Sequence, residues 1–381
     1  MMMNLTLERP VSHLEVRVIG IGGAGCSSLR NLNEFLPGNT RFLGIDTGSG
    51  AAGVRDFADA IRIGDGFGSG GDAVAAAELF VDSYESNEYR EKVIRFVSGA
   101  DVVIIVAGLG RGTGSGIAPL VAPIARESGA LTLAAVHLPF EFEGRFRHKF
   151  AVQALEKLQN SVDSVIVAGN NDLLGPEMAA SSMSLAETFR EADRRVSNSV
   201  KAVVSALNAP AGTSGWARQS LGLRSSGKSV VLSASSPGLH GGKHAVDRAF
   251  EDMSSGWVGE SELDGVRSVV VHVEGGIGMS AGQVEEAVAA AKARTGDHVE
   301  VHVSTSRDVA LGQQIRVTLI LAGIGSNLDL CSTADSRQTR QSISDGRSFD
   351  LLGTPVYGTV PVDLYPPVPF RRRGPALLPA G

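Results

Sequence analysis

Through its first 180 residues the chain alternates short, unbroken apolar runs with stretches of helical spacing or of glycine. The runs LEVRVIG, RFLGID, DVVIIVAG, LTLAAVHL and DSVIVAG are rich in β-branched residues, and most of their positions are apolar consecutively rather than alternately. A strand that is apolar on both faces is covered on both faces, so the pattern predicts a parallel sheet between layers of helix. Ligands of such sheets lie in the loops beyond the carboxyl ends of the strands.

A longer pattern follows. In SMSLAETFREADRRVSNSVKAVVSALN, the residues Leu185, Phe189, Ala192, Val196, Val200, Val203 and Leu207 recur near helical spacing. Ser184 is placed to cap this helix, with Glu187 three residues on as a capping box. APAGTSG ends it. Beyond, KSVVLSAS, RSVVVHVEG, HVEVHVSTS and IRVTLILAGI read as strands, and GGKHAVDRAFEDM and AGQVEEAVAAAKART as helices, which makes a second α/β unit. Past Ser326 the periodicity is lost, and seven of the 15 prolines lie from Pro355 onward, as in a flexible tail. The expected division is 1–183, a central helix over 184–208, a second α/β domain over 209–325, and a tail over 326–381.

Composition narrows the picture. With 381 residues, 43% hydrophobic and 20% charged, the chain can bury sizeable cores. A net charge of −6 argues against broad binding to nucleic acid or anionic membrane. Cys26 and Cys331 make neither a disulfide framework nor a metal cluster, so the expected setting is a reducing cytoplasm. No apolar run reaches the 18 or so residues of a membrane span, and MMMNLTLERP has too short an apolar stretch for a secretory signal. His272, His298 and His302 lie in strand-like segments and read as packing or surface residues, not metal ligands.

Glycine carries the chemistry. Three glycine-rich turns stand between an apolar run and a helix-like stretch: GIGGAGCSS from Gly20, GDGFGSGGD from Gly64, and GLGRGTGSGIAP from Gly108. Such turns let backbone N–H groups close on phosphate, and a helix N-terminus adds partial positive charge. One alone could be a tight turn or a close packing contact; three together point to a polyphosphate. GIGGAG with Asp46 after the second strand fits a dinucleotide site as well, but that leaves the third turn unexplained. The Walker-type reading fails, because SSGKS at Ser225 to Ser229 has the wrong glycine spacing and precedes a strand.

GRGTGSG, Gly110 to Gly116, resembles the tubulin signature in the form shared with the division GTPase FtsZ, which has glycine where Arg111 stands. GALTLAAVHLPFEFEGRFRHKFA resembles the FtsZ segment ending in a phenylalanine–glutamate–glycine ribose clamp. VDSVIVAGNNDLL, FREAD and IRVTLILAGIG are similar to the next nucleotide loop, the guanine-reading helix start and the last strand of the second domain. The resemblance spans roughly residues 15 to 325. It implies a Rossmann-like GTP-binding domain with a parallel sheet, and GTP or GDP as ligand, with room for Mg. It assigns Gly22, Gly23, Ala24 and Gly25 to the α- and β-phosphates, and Ser69, Gly70 and Gly71 to the γ-phosphate. Gly110, Gly112, Thr113, Gly114 and Ser115 become the main phosphate loop, with backbone N–H groups and the Thr113 hydroxyl donating. Arg111 either splays outward or reaches phosphate or a facing subunit. Glu143 would accept from ribose hydroxyls with Arg147 nearby, Asn170 would face ribose or base, Phe189 would stack on guanine, and Asp193 would accept from guanine N1 and N2. Without a ligand, Phe189 would be core and Glu143–Arg147 a solvated pair.

The resemblance breaks at one loop. Family members assemble head to tail, and the loop after the central helix brings carboxylates to the next subunit's nucleotide. Here the aligned stretch is TSGWAR, with Gly215 and Arg218 at the two acidic positions, and Gly48 stands where an aspartate is usual. The expectation is a filament-forming or filament-modulating GTP-binding protein with little self-activated hydrolysis, assembling with itself or with a conventional FtsZ. The alternatives are an active polymerising GTPase that uses Arg218, and a nicotinamide-dependent enzyme. In the tail, Asp363, Leu364, Pro369, Phe370 and Arg371 to Arg373 loosely resemble the peptide with which FtsZ docks on membrane-tethering adaptors.

Overall fold

A computed structural model describes residues 14–32, 36, 39–48, 57–81, 86–170, 184–208, 227–253, 263, 265–276 and 278–324. Among them, ten strands form one sheet in the order β3-β2-β1-β4-β5-β6-β7-β10-β8-β9. The strands are β1 (Val16–Ile21), β2 (Thr40–Asp46), β3 (Asp59–Arg62), β4 (Val102–Gly108), β5 (Leu131–Leu138), β6 (Ser164–Gly169), β7 (Gly227–Pro237), β8 (Ser268–Gly275), β9 (Glu300–Arg307) and β10 (Gln314–Ile324). From β3 to β7 every pairing is parallel; β10 is antiparallel to β7 and β8, and β8 pairs in parallel with β9. Every residue of β1 and of β5 is buried, as consecutive apolar positions require when helices cover both faces.

Eight α-helices lie among the described residues: α1 (Gly22–Leu32), α2 (Ala73–Val81), α3 (Ser86–Val97), α4 (Gly112–Glu127), α5 (Arg145–Ser161), α6 (Leu185–Asn208), α7 (Gly241–Met253) and α8 (Ala281–Thr295). Helix α6 starts where its cap predicts. Glu187 Oε2 accepts from the Ser184 N–H and hydroxyl at 2.7 Å, and the Glu187 N–H returns to Ser184 Oγ at 3.3 Å. From Val196 to Leu207 its apolar face lies in one core with residues of β1, β4, β5, β8 and β10. Burial of each such side chain stabilises by roughly 1.5–3 kcal/mol. The first two positions of the stripe depart from expectation. Leu185 is 59% exposed and Phe189 36% exposed, so Phe189 is not core. On the other face of the second half, Ala245, Val246, Ala249, Phe250, Ala287 and Ala291 pack on alternate residues of β8 and β10. His272 is buried between the Ser304 hydroxyl at 2.9 Å and that of Ser306 at 3.1 Å, and His302 is buried, whereas His298 is exposed.

Strand order sets the place of any ligand. The run β3-β2-β1-β4-β5-β6 reverses direction between β1 and β4, and in open parallel sheets the crevice at the carboxyl end of that switch point takes the ligand. Ile21 is level with Ile45 and with Ala107, so the loops after β1, β2 and β4 emerge side by side.

Candidate functional site

These loops touch one another. Strand β1 runs directly into α1, whose first residue, Gly22, has φ 75°, a conformation that an L side chain strains. A Cβ there would lie 3.2 Å from Gly114 N and 3.3 Å from Thr113 Cβ, so the first loop rests on the third. The Thr113 hydroxyl is 2.7 Å from that of Thr47, just after β2. The loop before α2 closes from the other side, where a Cβ on Gly112 would overlap Ser69 Oγ. Gly25 and Gly114 have no room for a side chain either, against Val106 O and Gly108 O respectively. Gly48 N–H approaches Asp46 Oδ1 at 3.4 Å, and Gly48 bridges to Phe67.

The inner surface of this cluster is bare backbone. A Cβ at Gly23, Gly70 or Gly71 would meet nothing within 4 Å. Helix α4 begins at Gly112 after an extended Arg111 that gives no side-chain cap, so side-chain capping leaves its first N–H groups to other acceptors. Gly110, at φ 94°, turns its N–H back onto Ser115 Oγ at 2.8 Å. The N-termini of helices of 11 and 16 residues therefore meet in a cradle of glycine backbone with the hydroxyls of Thr47, Thr113 and Ser69 in it, which is the chemistry of an anion site.

Beside the cradle, Glu143 is occupied from two sides. Its Oε1 accepts from the Phe140 N–H at 3.1 Å, and its Oε2 is 2.6 Å from Arg147 and 3.7 Å from Arg111. The Arg111 side chain is 64% exposed, so it splays outward while keeping its charge near Glu143. Farther along, Phe189 meets the buried Phe140 ring edge-on at 5.3 Å, and Phe142 stacks on Phe140 at 4.8 Å. An exposed aromatic face is thus held in place by a buried one.

Asp193 and Asn170 belong to a polar cluster with three residues that the sequence reading did not single out: Ser27, Ser28 and His137. Ser27 donates to Asp193 Oδ2 at 2.6 Å, and Ser28 reaches Oδ1 at 3.5 Å and His137 Nε2 at 2.9 Å. Burial raises the Asp193 carboxyl from its ordinary value, and the Ser27 and Ser28 hydroxyls and Arg30 oppose it. Burial also drives the His137 imidazole down to about 4, against a hydrogen bond with Asn170. The ring is therefore neutral near pH 7, and its 3.7 Å approach to Asp193 is not an ion pair there. The one sequence signal for His137 is a polar residue at the carboxyl end of a largely apolar strand; Thr47 similarly follows β2.

A stability prediction follows from His137. Its folded pKa lies below the unfolded value, so its contribution is present above about pH 6.5 and lost as pH falls through about 4. Chemical denaturation at pH 7 and pH 4 is expected to show roughly 3 kcal/mol more acid sensitivity in the native protein than in His137→Gln. Equal pH dependence in the two would contradict the burial assigned to this ring.

Gly215 and Arg218, the expected degenerate positions, lie outside the described residues, as does the tail. Among the described residues, no cluster of three or more His, Cys, Asp or Glu side chains is arranged to hold a metal ion.

A family model described as the Tubulin/FtsZ family GTPase domain matches residues 66–176, and one described as the FtsZ family C-terminal domain matches residues 237–325. The cell division protein FtsZ of Buchnera aphidicola is 30% identical over 336 residues, covering 87% of this chain and 85% of its own. That of Coxiella burnetii is 27% identical over 352 residues, covering 92% and 89%. Of solved structures, an empty FtsZ dimer from M. jannaschii matches with TM-score 0.73 and 27% identity, over 83% of this chain and 90% of that one. A GTPγS-bound protofilament of CetZ2 from Haloferax volcanii, at TM-score 0.66 and 19% identity over 83% and 95%, shares the fold.

Proposed function

The chain belongs to the tubulin/FtsZ family, and on that premise we propose that it is a GTP- or GDP-binding cytoskeletal protein that forms or modulates head-to-tail filaments in cell division. The observation that carries this reading is the meeting of the loops after β1, β2 and β4 around bare backbone at the switch point of the sheet. Gly22 to Gly25 wrap the α- and β-phosphates, Gly112 to Ser115 form the main phosphate loop with backbone N–H groups donating, Gly110 shapes that loop through its bond to Ser115, and Ser69 to Gly71 close on the γ-phosphate. Glu143, steadied by Arg147, faces the ribose. Asn170 faces ribose or base, Phe189 offers a ring face to the base, and Asp193 reads its N1 and N2 donors. A magnesium ion bound with the nucleotide would supply further charge neutralisation at the phosphates.

The second half of the proposal concerns turnover. Gly215 cannot polarise a water, and Arg218 remains protonated, so this chain does not activate the nucleotide of the subunit it faces. Its filament is either its own, slow to turn over, or shared with a conventional FtsZ whose loop supplies the acids. We divide the chain into a GTP-binding domain (1–183), a central helix (184–208), a C-terminal domain (209–325) and a tail (326–381). No described helix is long and apolar enough to cross a membrane. We place the protein in the cytoplasm at a division site, held there through an adaptor that takes the tail peptide. Deleting residues 350–381 is expected to leave nucleotide affinity and thermal midpoint unchanged; a large drop in midpoint would put the segment in the fold instead.

Sedimentation tests the filament reading. The protein, alone or mixed with a conventional FtsZ, is expected to pellet with GTP and not with ATP. The absence of any nucleotide-dependent pellet in both settings would refute it.

A further inference from the structure

The polar cluster behind Asp193 goes beyond the contacts expected for a nucleotide. Ser28 lies in α1 and His137 at the end of β5, both approach the carboxylate of Asp193 in α6, and Asn170, just after β6, bonds His137 from behind. Ser28 and His137 are buried, whereas the Asp193 side chain keeps 17% of its surface. The carboxylate is thus the outward end of an inward chain. We propose that Ser28 and His137 are positioning residues for base recognition: the imidazole orients the Ser28 hydroxyl, and the hydroxyl fixes the plane of the Asp193 carboxylate toward the guanine edge. The inference rests on the reading of Asp193 as the guanine acceptor.

Proton counting gives the chain its direction. Ser28 has one hydroxyl proton and two neighbours able to take it, His137 Nε2 at 2.9 Å and Asp193 Oδ1 at 3.5 Å. When the imidazole Nε2–H donates to Ser28 Oγ, the Ser28 proton is directed onto Oδ1. Ser27 independently donates to Oδ2 at 2.6 Å. Each carboxylate oxygen then has one lone pair engaged by the protein and one left for a guanine donor. Helix α6 is anchored to α1 at the same level, because the single Ser197 hydroxyl proton is shared between Ser28 O at 2.9 Å and Asp193 O at 2.7 Å. The charged or titratable groups facing Asp193 are Arg30 from α1 and His137 from β5. Guanine needs the carboxylate ionised, since its paired N1–H and N2–H donors call for both oxygens as acceptors and protonation turns one of them into a donor. Burial works against that state and the serine hydroxyls work for it.

A serine and a histidine here could serve merely to tie helices to the sheet. Base selectivity and pH dependence separate the two roles. The affinities of the full-length protein for GDP, IDP and ADP are measured from pH 5 to 8, beside Ser28→Ala, His137→Leu, His137→Gln and Asp193→Ala, with thermal midpoints for each. Ser28→Ala is expected to weaken GDP about three- to tenfold while leaving ADP unchanged, and to move the acid limb of GDP binding up by roughly half a unit to one unit. IDP, which lacks the N2 donor, is expected to lose less than GDP. His137→Leu is expected to do the same as Ser28→Ala, and His137→Gln to restore most of the affinity, because its amide also donates to Ser28. If Asp193→Ala abolishes the guanine preference while Ser28→Ala and His137→Leu bind GDP with the native affinity and pH profile, the positioning role is refuted and the base reading stands. If Ser28→Ala weakens GDP and ADP alike, the role is structural only and the inference is refuted. If Asp193→Ala leaves the guanine preference intact, the base reading fails and takes this inference with it.

Discussion

Steady-state GTP turnover by the isolated protein is expected to lie about 10²- to 10⁴-fold below that of a conventional FtsZ, the usual cost of losing a group that orients or deprotonates the attacking water. The expectation rests on the proposed match of Gly215 and Arg218 to the two positions that carry acids in the FtsZ loop. A glycine has no group to polarise water. A guanidinium stays protonated and so cannot serve as a base, though it could stabilise charge on a transferring phosphoryl group as an arginine finger does. Phosphate release is measured at high protein concentration for the native chain, for Gly215→Asp with Arg218→Asp, and for Arg218→Ala. Recovery in the double variant alone would show that the missing acids are the whole defect, with Gly48 and Arg111 tolerated. Brisk native turnover that Arg218→Ala abolishes would mean that the arginine acts as the finger and that the account is wrong on this point. Turnover that appears only with a conventional FtsZ in the mixture would support a shared filament.

Asp193→Ala is expected to cost about 1–3 kcal/mol of guanine-nucleotide affinity, roughly 5- to 150-fold, as for a lost charge-assisted hydrogen bond, and to leave adenine nucleotides unaffected. The carboxylate is in place before any base arrives: Ser27 donates to it at 2.6 Å and its own helix is tied to α1 through Ser197. Preorganisation of this kind puts most of the loss into base discrimination, since little reordering accompanies binding. Direct titration of GDP and ADP onto the variant and the native protein checks it. A variant that weakens both nucleotides equally would point to a damaged fold, not a lost base contact.

Much of the scaffold was legible in sequence because its signals are local. The consecutive apolar runs gave β1, β2, β4, β5 and β6, and the helix limits at Gly241–Met253 and Ala281–Thr295 coincide with segments picked out by spacing alone. The start of α6 was legible because a capping box is a three-residue signal. Strand β3 escaped because it has four residues, DAIR, and pairs on one side only, at the sheet edge, where no long apolar run is needed. The site divides in the same way. Bare glycine turns between apolar runs and helices are visible from spacing alone, and they carry the proposed phosphate cradle. The contacts of Thr47 with Thr113, His137 with Ser28, and Ser27 with Asp193 span 66, 109 and 166 residues, and no local pattern carries a pairing at that distance. The alternative that leaves Phe189 in the core arises because its stripe continues into buried positions. In the folded chain that stripe turns inward only at Ala192, leaving the ring over Phe140.

The loops of this sheet and the Asp193 cluster are proposed as one guanine-nucleotide site, and calorimetric titration of the nucleotide-free full-length protein with GDP and with ADP, at pH 7 and fixed magnesium, is the decisive experiment. One GDP is expected to bind per chain, with ADP at least about tenfold weaker, as the loss of a bonded donor pair requires. Equal affinities, or no binding of either nucleotide, would contradict it.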